Sequence, residues 1–180
     1  GMMRLPTLTK DDGSQVIDRD EAIRMLRHGI DQGITYVDTA YGYHGGESEI
    51  VTGLGLKDGY RERVMLTTKL PQWLVNKYED MDRLLDEQLE KLDVPYLDFY
   101  LLHALNGSAF DKLQKLDYQK FLEKAKSDGR IKNAGFSFHD EKDVFLRIID
   151  DYDWDMAQIQ FNYLDDEYQA TLEGMRYAGK

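Results

Sequence analysis

Four side chains of different chemical type stand at, or just after, the ends of three apolar runs. Asp38 ends TYVD, Tyr43 follows it by five residues, Lys69 ends VMLTTK and His103 ends YLDFYLLH. Each alone has an ordinary structural explanation, as a helix cap, a loop aromatic, a lysine reaching the surface or a hydrogen-bonded histidine. Together they are more specific, because a carboxylate, a phenol, an ammonium and an imidazole can act jointly in proton transfer.

The chemistry that these four residues predict is protonation of a carbonyl oxygen. Asp38 would pair with Lys69 and keep its ammonium charged and oriented. Lys69 would donate to the Tyr43 oxygen and stabilise the phenolate, which makes the phenol a stronger acid. Tyr43 would then act as the general acid, and His103 would hydrogen-bond the same carbonyl oxygen and orient the substrate. We predict these four residues to be catalytic.

Short apolar runs that alternate with amphipathic stretches must position these residues. Helical periodicity is clear in a stretch that starts at Asp18 and over 78–92, 117–128 and 141–151. The predicted strands are about 2–5, 35–40, 64–70, 97–103, 131–137 and 156–161. Strands that alternate with helices predict β/α units and a parallel sheet, and the spacing gives about six units.

Two parallel α/β folds compete for this pattern. An open doubly wound sheet of six strands suits the length, because a closed barrel of eight units usually needs about 250 residues. A dinucleotide-binding sheet, however, would carry G-x-G-x-x-G after its first strand, whereas the dense glycine cluster, Gly42 to Gly46, follows the second. Polar residues at many strand ends are typical of a barrel mouth. We predict one α/β domain over 1–180, a parallel (β/α) barrel of TIM type that is incomplete, with about six of eight units.

Composition limits the partners. The chain has 23 basic and 34 acidic residues, a net charge of −11, so the basic surface that nucleic acid requires is missing and an acidic membrane surface would repel it. It has no cysteine, and its four histidines lack metal-binding spacing, so we predict no metal. No apolar run approaches the roughly 20 residues of a membrane span, and we expect a cytoplasmic protein.

The segments GITYVDTAYGY, VMLTTKL and LDFYLLH resemble the aldo-keto reductase family in order and spacing, and the resemblance covers essentially the whole chain. It implies an oxidoreductase that reduces a small-molecule aldehyde or ketone to an alcohol with NADP(H). The four residues described above match the Asp, Tyr, Lys and His tetrad of that family. Segments GFSFH and QFNYLDDEYQA resemble a bacterial subgroup of the family.

The resemblance also implies three cofactor-binding residues, which would hold the nicotinamide carboxamide. Ser137 in AGFSFH matches the first residue of a polar pair, Phe138 replaces the second, which is usually Asn, and His139 is the candidate substitute. Gln158 in AQIQFNY matches a glutamine on the sixth strand. The family's phosphate-binding segments and its leading hairpin have no match here, so we expect a C-terminally truncated family member.

A second function stays open at this point. Six units would leave two unpaired sheet edges, which invite strand pairing with another chain. The protein would then be a catalytically silent or fragmentary reductase scaffold that self-associates or binds a partner. A cofactor titration separates the two possibilities, since a silent module would not bind nicotinamide at millimolar concentration.

Overall fold

The computed structural model describes residues 1–179, and its centre is a parallel sheet of five strands that curls into an incomplete barrel. The strands follow one another in chain order across the sheet. They are β3 (Tyr36–Asp38), β4 (Met65–Leu70), β5 (Leu97–Leu105), β6 (Ile131–Phe138) and β7 (Met156–Ile159). The predicted α/β class and partial barrel are confirmed, with five parallel strands in place of about six.

The N-terminal region differs from the expectation in two ways. Residues 2–5 form no strand within the described chain, although Met2 N donates to Asp38 O at 2.8 Å beside the end of β3. A hairpin is present, contrary to prediction, and consists of antiparallel β1 (Thr7–Thr9) and β2 (Gln15–Ile17). Its turn is closed by the Asp12 carboxylate, which accepts from Ser14 N at 2.9 Å, and by Gly13 at φ +82°. The strand residues are mostly exposed and lack the apolar runs that marked the other strands, so periodicity missed them.

Helices cover the outer face of the sheet. The α1 helix begins where predicted, because the Asp18 carboxylate accepts from Glu21 N and satisfies a free donor of the first turn. The helices are α1 (Arg19–Asp31), α2 (Glu47–Gly55), α3 (Tyr78–Leu92), α4 (Gly107–Lys115), α5 (Tyr118–Ser127), α6 (Lys142–Ile149) and α7 (Thr171–Ala178). Within residues 1–179, no helix has the length and hydrophobicity of a membrane-spanning segment.

The apolar core lies between the helices and the sheet. The α3 stripe of Met81, Leu84, Leu85 and Leu92 is fully buried, as its periodicity predicted. Burial of one such side chain contributes about 1.5 to 3 kcal/mol, which fixes the helix against the strands. The parallel register pairs Asp38 with Thr67, Lys69 with Leu101 and Ser137 with Gln158, so the carboxyl ends of the strands lie along one rim.

Candidate active site

Lys69 lies at the centre of the candidate site, at the end of β4. Its side chain is 1% exposed, so its ammonium needs protein acceptors for its three N–H groups. Nζ donates to Asp38 Oδ2 at 2.7 Å, to the main-chain oxygen of Thr39 at 2.8 Å and to the Tyr43 hydroxyl oxygen at 3.3 Å. The three donors are therefore all used, and their directions fix the amine between the carboxylate and the phenol.

The carboxylate of Asp38 is stabilised by this arrangement. Burial raises the pKa of Asp38, but the charge and hydrogen bond of Lys69 lower it, and the net pKa lies below its ordinary value. Asp38 is therefore ionised at neutral pH. The pair keeps opposite charges in a half-buried place, where their attraction is weakened less by solvent than at the surface.

A sharp turn after β3 positions Tyr43. Tyr43 N donates to Ala40 O at 3.1 Å, and the chain then passes through left-handed conformations at His44 (φ 51°) and Gly46 (φ 97°) before α2 begins. A histidine in the left-handed conformation costs about 1 kcal/mol. His44 Nε2 accepts a hydrogen bond from Leu5 N at 3.0 Å, which helps to offset this cost. The glycine cluster found in the sequence thus turns the chain back over the end of β3.

The neighbouring phenol of Tyr41 points elsewhere. Its hydroxyl donates to Glu87 Oε1 at 2.9 Å, and Lys91 Nζ lies 3.8 Å from the centre of its ring. Tyr41 and Tyr43 were both loop tyrosines in the sequence, and only Tyr43 has a hydrogen bond from Lys69 within the described residues. The two residues therefore form a natural pair of test and control positions.

His103 faces Tyr43 from the end of β5. The two ring centres are 6.0 Å apart in an edge-on arrangement, and the indole of Trp73 lies 5.3 Å from the imidazole on another side. Burial, with the nearby charge of Lys69, lowers the pKa of His103 from 6.5 to about 4. The imidazole is therefore neutral at neutral pH and carries one N–H that can donate to a carbonyl oxygen.

A bulge in β5 surrounds His103, and no local pattern predicts it. The register between β5 and β6 shifts between Leu102 and Leu105, and Ala104 has φ 50°, a conformation that favours glycine. Ala104 N donates to Ser137 Oγ at 2.7 Å, so the side chain at the end of β6 holds the strained residue next to His103.

Trp73 was also missed. It belongs to a short 3₁₀ helix, Gln72–Leu74, that follows β4, and it is 47% exposed beside His103. A tryptophan four residues after the strand-ending Lys69 was the available signal. Its indole gives the site an apolar wall on the side of the imidazole.

The three predicted cofactor-binding residues lie at the ends of β6 and β7. Ser137 and Gln158 are direct neighbours in the parallel register, and Gln158 Oε1 is buried without a hydrogen-bond partner among the described residues. Phe138 is fully buried, and its ring centre lies 5.2 Å from that of Phe145, so its side chain is unavailable to a ligand. His139 follows it as an exposed side chain just beyond the end of β6.

This rim has the donors and acceptors that a primary amide requires. The unpartnered oxygen of Gln158 can accept from an amide N–H, and the Ser137 hydroxyl beside it can donate or accept. The residues present therefore fit the carboxamide of a nicotinamide. No group of three or more metal-ligating side chains occurs in the part of the chain that the structure describes.

With this fold and rim established, comparison with known proteins places the chain in a family. The aldo/keto reductase family profile matches residues 1–179, and the chain belongs to that family. It is similar to methylglyoxal reductase YeaE of Escherichia coli, 33% identical over 132 residues, which are 73% of this chain and 44% of that protein. The chain thus spans less than half the length of this relative.

Solved structures agree with this assignment. An aldo/keto reductase from Klebsiella pneumoniae in complex with NADP and acetate is 25% identical, with a TM-score of 0.68 over 91% of this chain and 61% of that one. The aldo-keto reductase PA4992 of Pseudomonas aeruginosa is 23% identical, with a TM-score of 0.79 over 99% of this chain and 66% of that one. This similarity shows the shared fold.

Proposed function

We propose that the protein reduces an aldehyde or ketone to an alcohol with NADPH, with Tyr43 as the general acid. The observation that carries the proposal is the buried Lys69 ammonium, which donates to Asp38 and to the Tyr43 oxygen at once. Because Lys69 occupies a lone pair of that oxygen, the hydroxyl proton of Tyr43 is free to point towards another acceptor. A substrate carbonyl oxygen is the acceptor that this chemistry requires.

The proton step uses the chain's own residues. When bound, the reduced nicotinamide supplies a hydride for the carbonyl carbon. Tyr43 gives its hydroxyl proton to the carbonyl oxygen, and the phenolate that remains is stabilised by the hydrogen bond from Lys69 Nζ. Asp38 keeps the Lys69 amine correctly directed throughout. The Tyr43 proton is recovered from solvent after the alcohol leaves.

His103 orients the carbonyl. Its neutral imidazole donates an N–H to the same oxygen that receives the Tyr43 proton, which places that oxygen between the two rings. Trp73 bounds the space beside the imidazole. Asp38, Tyr43, Lys69 and His103 are thus the proposed catalytic and supporting group.

The cofactor would bind at the other end of the rim, where β6 and β7 end. Ser137, His139 and Gln158 would hold the nicotinamide carboxamide, and the orphaned Gln158 oxygen supports this role. NADP(H) follows from the family and from relatives solved with this cofactor. Methylglyoxal is the first substrate to try, because it is in the name of a similar protein.

The test compares two neighbouring tyrosines. The rate at which NADPH is consumed with methylglyoxal is measured for the parent protein, Tyr43→Phe and Tyr41→Phe. We expect Tyr43→Phe to lose about 10²- to 10⁴-fold in kcat, the usual worth of a general acid, while Tyr41→Phe stays within about threefold of the parent. Equal rates for the parent and Tyr43→Phe would show that the phenol is not the acid.

The second candidate function is a silent scaffold that self-associates. It is favoured by the outer edges of β3 and β7, which pair with no further strand within residues 1–179, and by a group of exposed apolar side chains after β7. These are Phe161, Tyr163, Leu164 and Tyr168. Sedimentation of the protein over a range of concentrations, with an NADPH titration to millimolar concentration, distinguishes the two: a multimer that binds no NADPH supports the scaffold.

A further inference from the structure

A buried polar cluster lies behind Lys69, outside the proposed catalytic group. We call Glu49, Thr68, Gln88 and Tyr100 the Glu49 cluster, and all four are fully buried. Thr68 Oγ1 and Gln88 Nε2 each donate to Glu49 Oε1 at 2.6 Å, and the Tyr100 hydroxyl donates to Gln88 Oε1 at 2.7 Å. The cluster therefore joins α2, β4, α3 and β5.

The Glu49 cluster reaches the main chain of Lys69. Gln88 Nε2 also donates to Lys69 O at 3.0 Å, so the amide that Glu49 and Tyr100 hold in place is anchored to the carbonyl of the central residue of the site. Thr68, the residue before Lys69, is held by Glu49 directly. The Glu49 cluster thus holds β4 at two successive residues, Thr68 and Lys69, at the point where the Lys69 side chain enters the site.

The N-terminal end of α2 holds Lys69 from a second direction. Ser48 Oγ and Thr39 Oγ1 are hydrogen-bonded at 2.9 Å, and the Thr39 carbonyl is one of the three acceptors of Lys69 Nζ. Ser48 and Glu49 are neighbours in sequence. The first turn of α2 therefore supports Lys69 in two ways. Ser48 holds Thr39, whose carbonyl accepts from Lys69 Nζ, and Glu49 holds Gln88, whose amide donates to Lys69 O.

Close helix packing makes this geometry possible. A methyl group added at Gly53 would collide with the carbonyl of Leu92, so α2 approaches α3 as only a glycine permits. This approach brings Glu49 of α2 against Gln88 of α3. The substitution of any larger residue at Gly53 would separate the two side chains.

Stability alone does not explain a carboxyl group here. Glu49 Oε2 is buried without a hydrogen-bond partner among the described residues, and Lys91 Nζ is 4.0 Å away. Burial raises the pKa of Glu49, which reflects the cost of placing the charge there. A well-packed apolar side chain of similar volume would often serve stability equally well, so a requirement for a definite local geometry is the better explanation.

We propose that Glu49 and Gln88 are positioning residues that set the direction of the Lys69 side chain towards Asp38 and Tyr43. Neither residue touches the reacting atoms. Glu49 orients the Gln88 amide, and the amide fixes the Lys69 carbonyl. The inference rests on the proposed function for its consequence in catalysis, but the position of the Lys69 amine can be measured without any turnover.

The test uses NMR of protein labelled with ¹³C-lysine, in which the Lys69 Cε signal is assigned by its loss in Lys69→Arg. Gln88→Met keeps the length of the side chain and removes the donor to Lys69 O. Leu85→Val is the matched control, because Leu85 lies on the buried face of the same α3 helix and its truncation lowers stability by packing alone. We expect Gln88→Met to shift or broaden the Lys69 signal and Leu85→Val to leave it in place.

A pair of variants at Glu49 sharpens the result. Glu49→Leu removes the acceptor of the Gln88 and Thr68 donors, whereas Glu49→Gln keeps an oxygen that can accept from them. The Lys69 signal should move in Glu49→Leu and move less in Glu49→Gln. Tyr100→Phe, which removes one hydroxyl from the cluster, should shift the signal in the same direction as Gln88→Met by a smaller amount, and it serves as the second test if Gln88→Met does not fold.

The kinetic consequence separates this proposal from the proposed function. Gln88→Met should lower kcat about tenfold with little change in KM for NADPH, since a small misplacement of a supporting group affects the chemical step. A Lys69 signal that is unchanged in Gln88→Met and Tyr100→Phe, or that moves equally in Leu85→Val, would overturn the positioning role. Activity retained in Tyr43→Phe would instead overturn the proposed function and leave the NMR result standing.

Discussion

The two ends of the strand rim differ in how completely the chain satisfies its own polar groups. At the ends of β3 and β4, the Lys69 ammonium uses all three donors on Asp38, Thr39 and Tyr43. At the ends of β6 and β7, the Gln158 amide oxygen is buried without a partner, and His139 is exposed. The first region is organised by the protein alone, whereas the second has unused hydrogen-bonding capacity that a ligand can satisfy.

This difference has an energetic meaning. Removing the partner of a buried charge lowers the free energy of unfolding by several kcal/mol. Substituting an amide that already lacks a partner breaks no hydrogen bond and should change it little. Substitutions in the first region should therefore act mainly on the protein without ligand. Substitution of Gln158 in the second region should act mainly on ligand binding, because its amide oxygen has no partner among the described residues.

The largest effect on stability is expected for Lys69→Met. It removes the hydrogen-bonded counter-charge of the half-buried Asp38 carboxylate, so we expect the free energy of unfolding to fall by about 3 to 5 kcal/mol, measured by urea denaturation. Lys124→Met is the control, because Lys124 pairs with Asp82 at an exposed place (2.7 Å, with the lysine 52% exposed) and should change stability by less than about 1 kcal/mol. Similar losses in the two variants would contradict the contrast.

A smaller effect is expected from His103, and it depends on pH. Because the pKa of His103 falls from 6.5 to about 4 on folding, the folded protein favours the neutral imidazole. The stability that this preference contributes is present above pH 6.5 and is lost as the pH falls through 4. In the parent, the free energy of unfolding decreases between pH 7 and pH 4. We expect this decrease to be smaller by roughly 2 kcal/mol in His103→Gln.

The measurement for His103 is urea denaturation at several pH values. The slope of unfolding free energy against pH should be shallower in His103→Gln than in the parent. His28→Gln on α1 is a suitable control for the loss of a histidine elsewhere. Parallel curves for the parent and His103→Gln would mean that the imidazole titrates freely in the folded state.

Ser137→Ala should lower the free energy of unfolding by about 1 to 3 kcal/mol. It leaves the Ala104 N–H without its acceptor at a strained bulge, and an unsatisfied buried donor carries this cost. Ser127→Ala, at the exposed end of α5, should change stability by less than about 0.5 kcal/mol. Equal stability of the two variants in thermal or urea denaturation would show that the bulge is held by other contacts.

Gln158→Leu is expected to have the smallest effect on the free protein. Because Oε1 has no partner within the described residues, the free energy of unfolding should change by less than about 1 kcal/mol. The dissociation constant for NADPH should rise by about five- to tenfold, as expected for one lost hydrogen bond in a binding site. A large loss of stability with unchanged NADPH binding would reverse the contrast between the two ends of the rim.

The sequence predicted the parts of this molecule that depend on local pattern. The strand ends that carry Asp38, Lys69 and His103 could be read from short apolar runs, and the α3 helix from its periodicity. The resemblance then supplied roles that no single residue could justify. The hairpin of residues 7–17 was missed because its strands are polar and exposed and are held by their mutual pairing.

Features that depend on contacts between distant residues could not be predicted. Ala104 is an ordinary strand residue in the sequence, and in the fold its left-handed conformation is accompanied by a hydrogen bond from its N–H to Ser137 on the next strand. Gln88 lies on the buried face of the predicted helix 78–92, but its bond to the Lys69 carbonyl depends on the packing of α3 against the sheet. Such pairings follow from the assembled fold and have no local signal.

If Lys69 acts through Tyr43, the effects of substituting the two residues are coupled, and a double-mutant cycle on the rate of carbonyl reduction measures that coupling. Rates are compared for the parent, Lys69→Met, Tyr43→Phe and the double variant at saturating NADPH. We expect Lys69→Met to lower the rate by about 10²-fold or more in the parent and by less than about threefold in Tyr43→Phe. Independent effects that multiply in the double variant would contradict it.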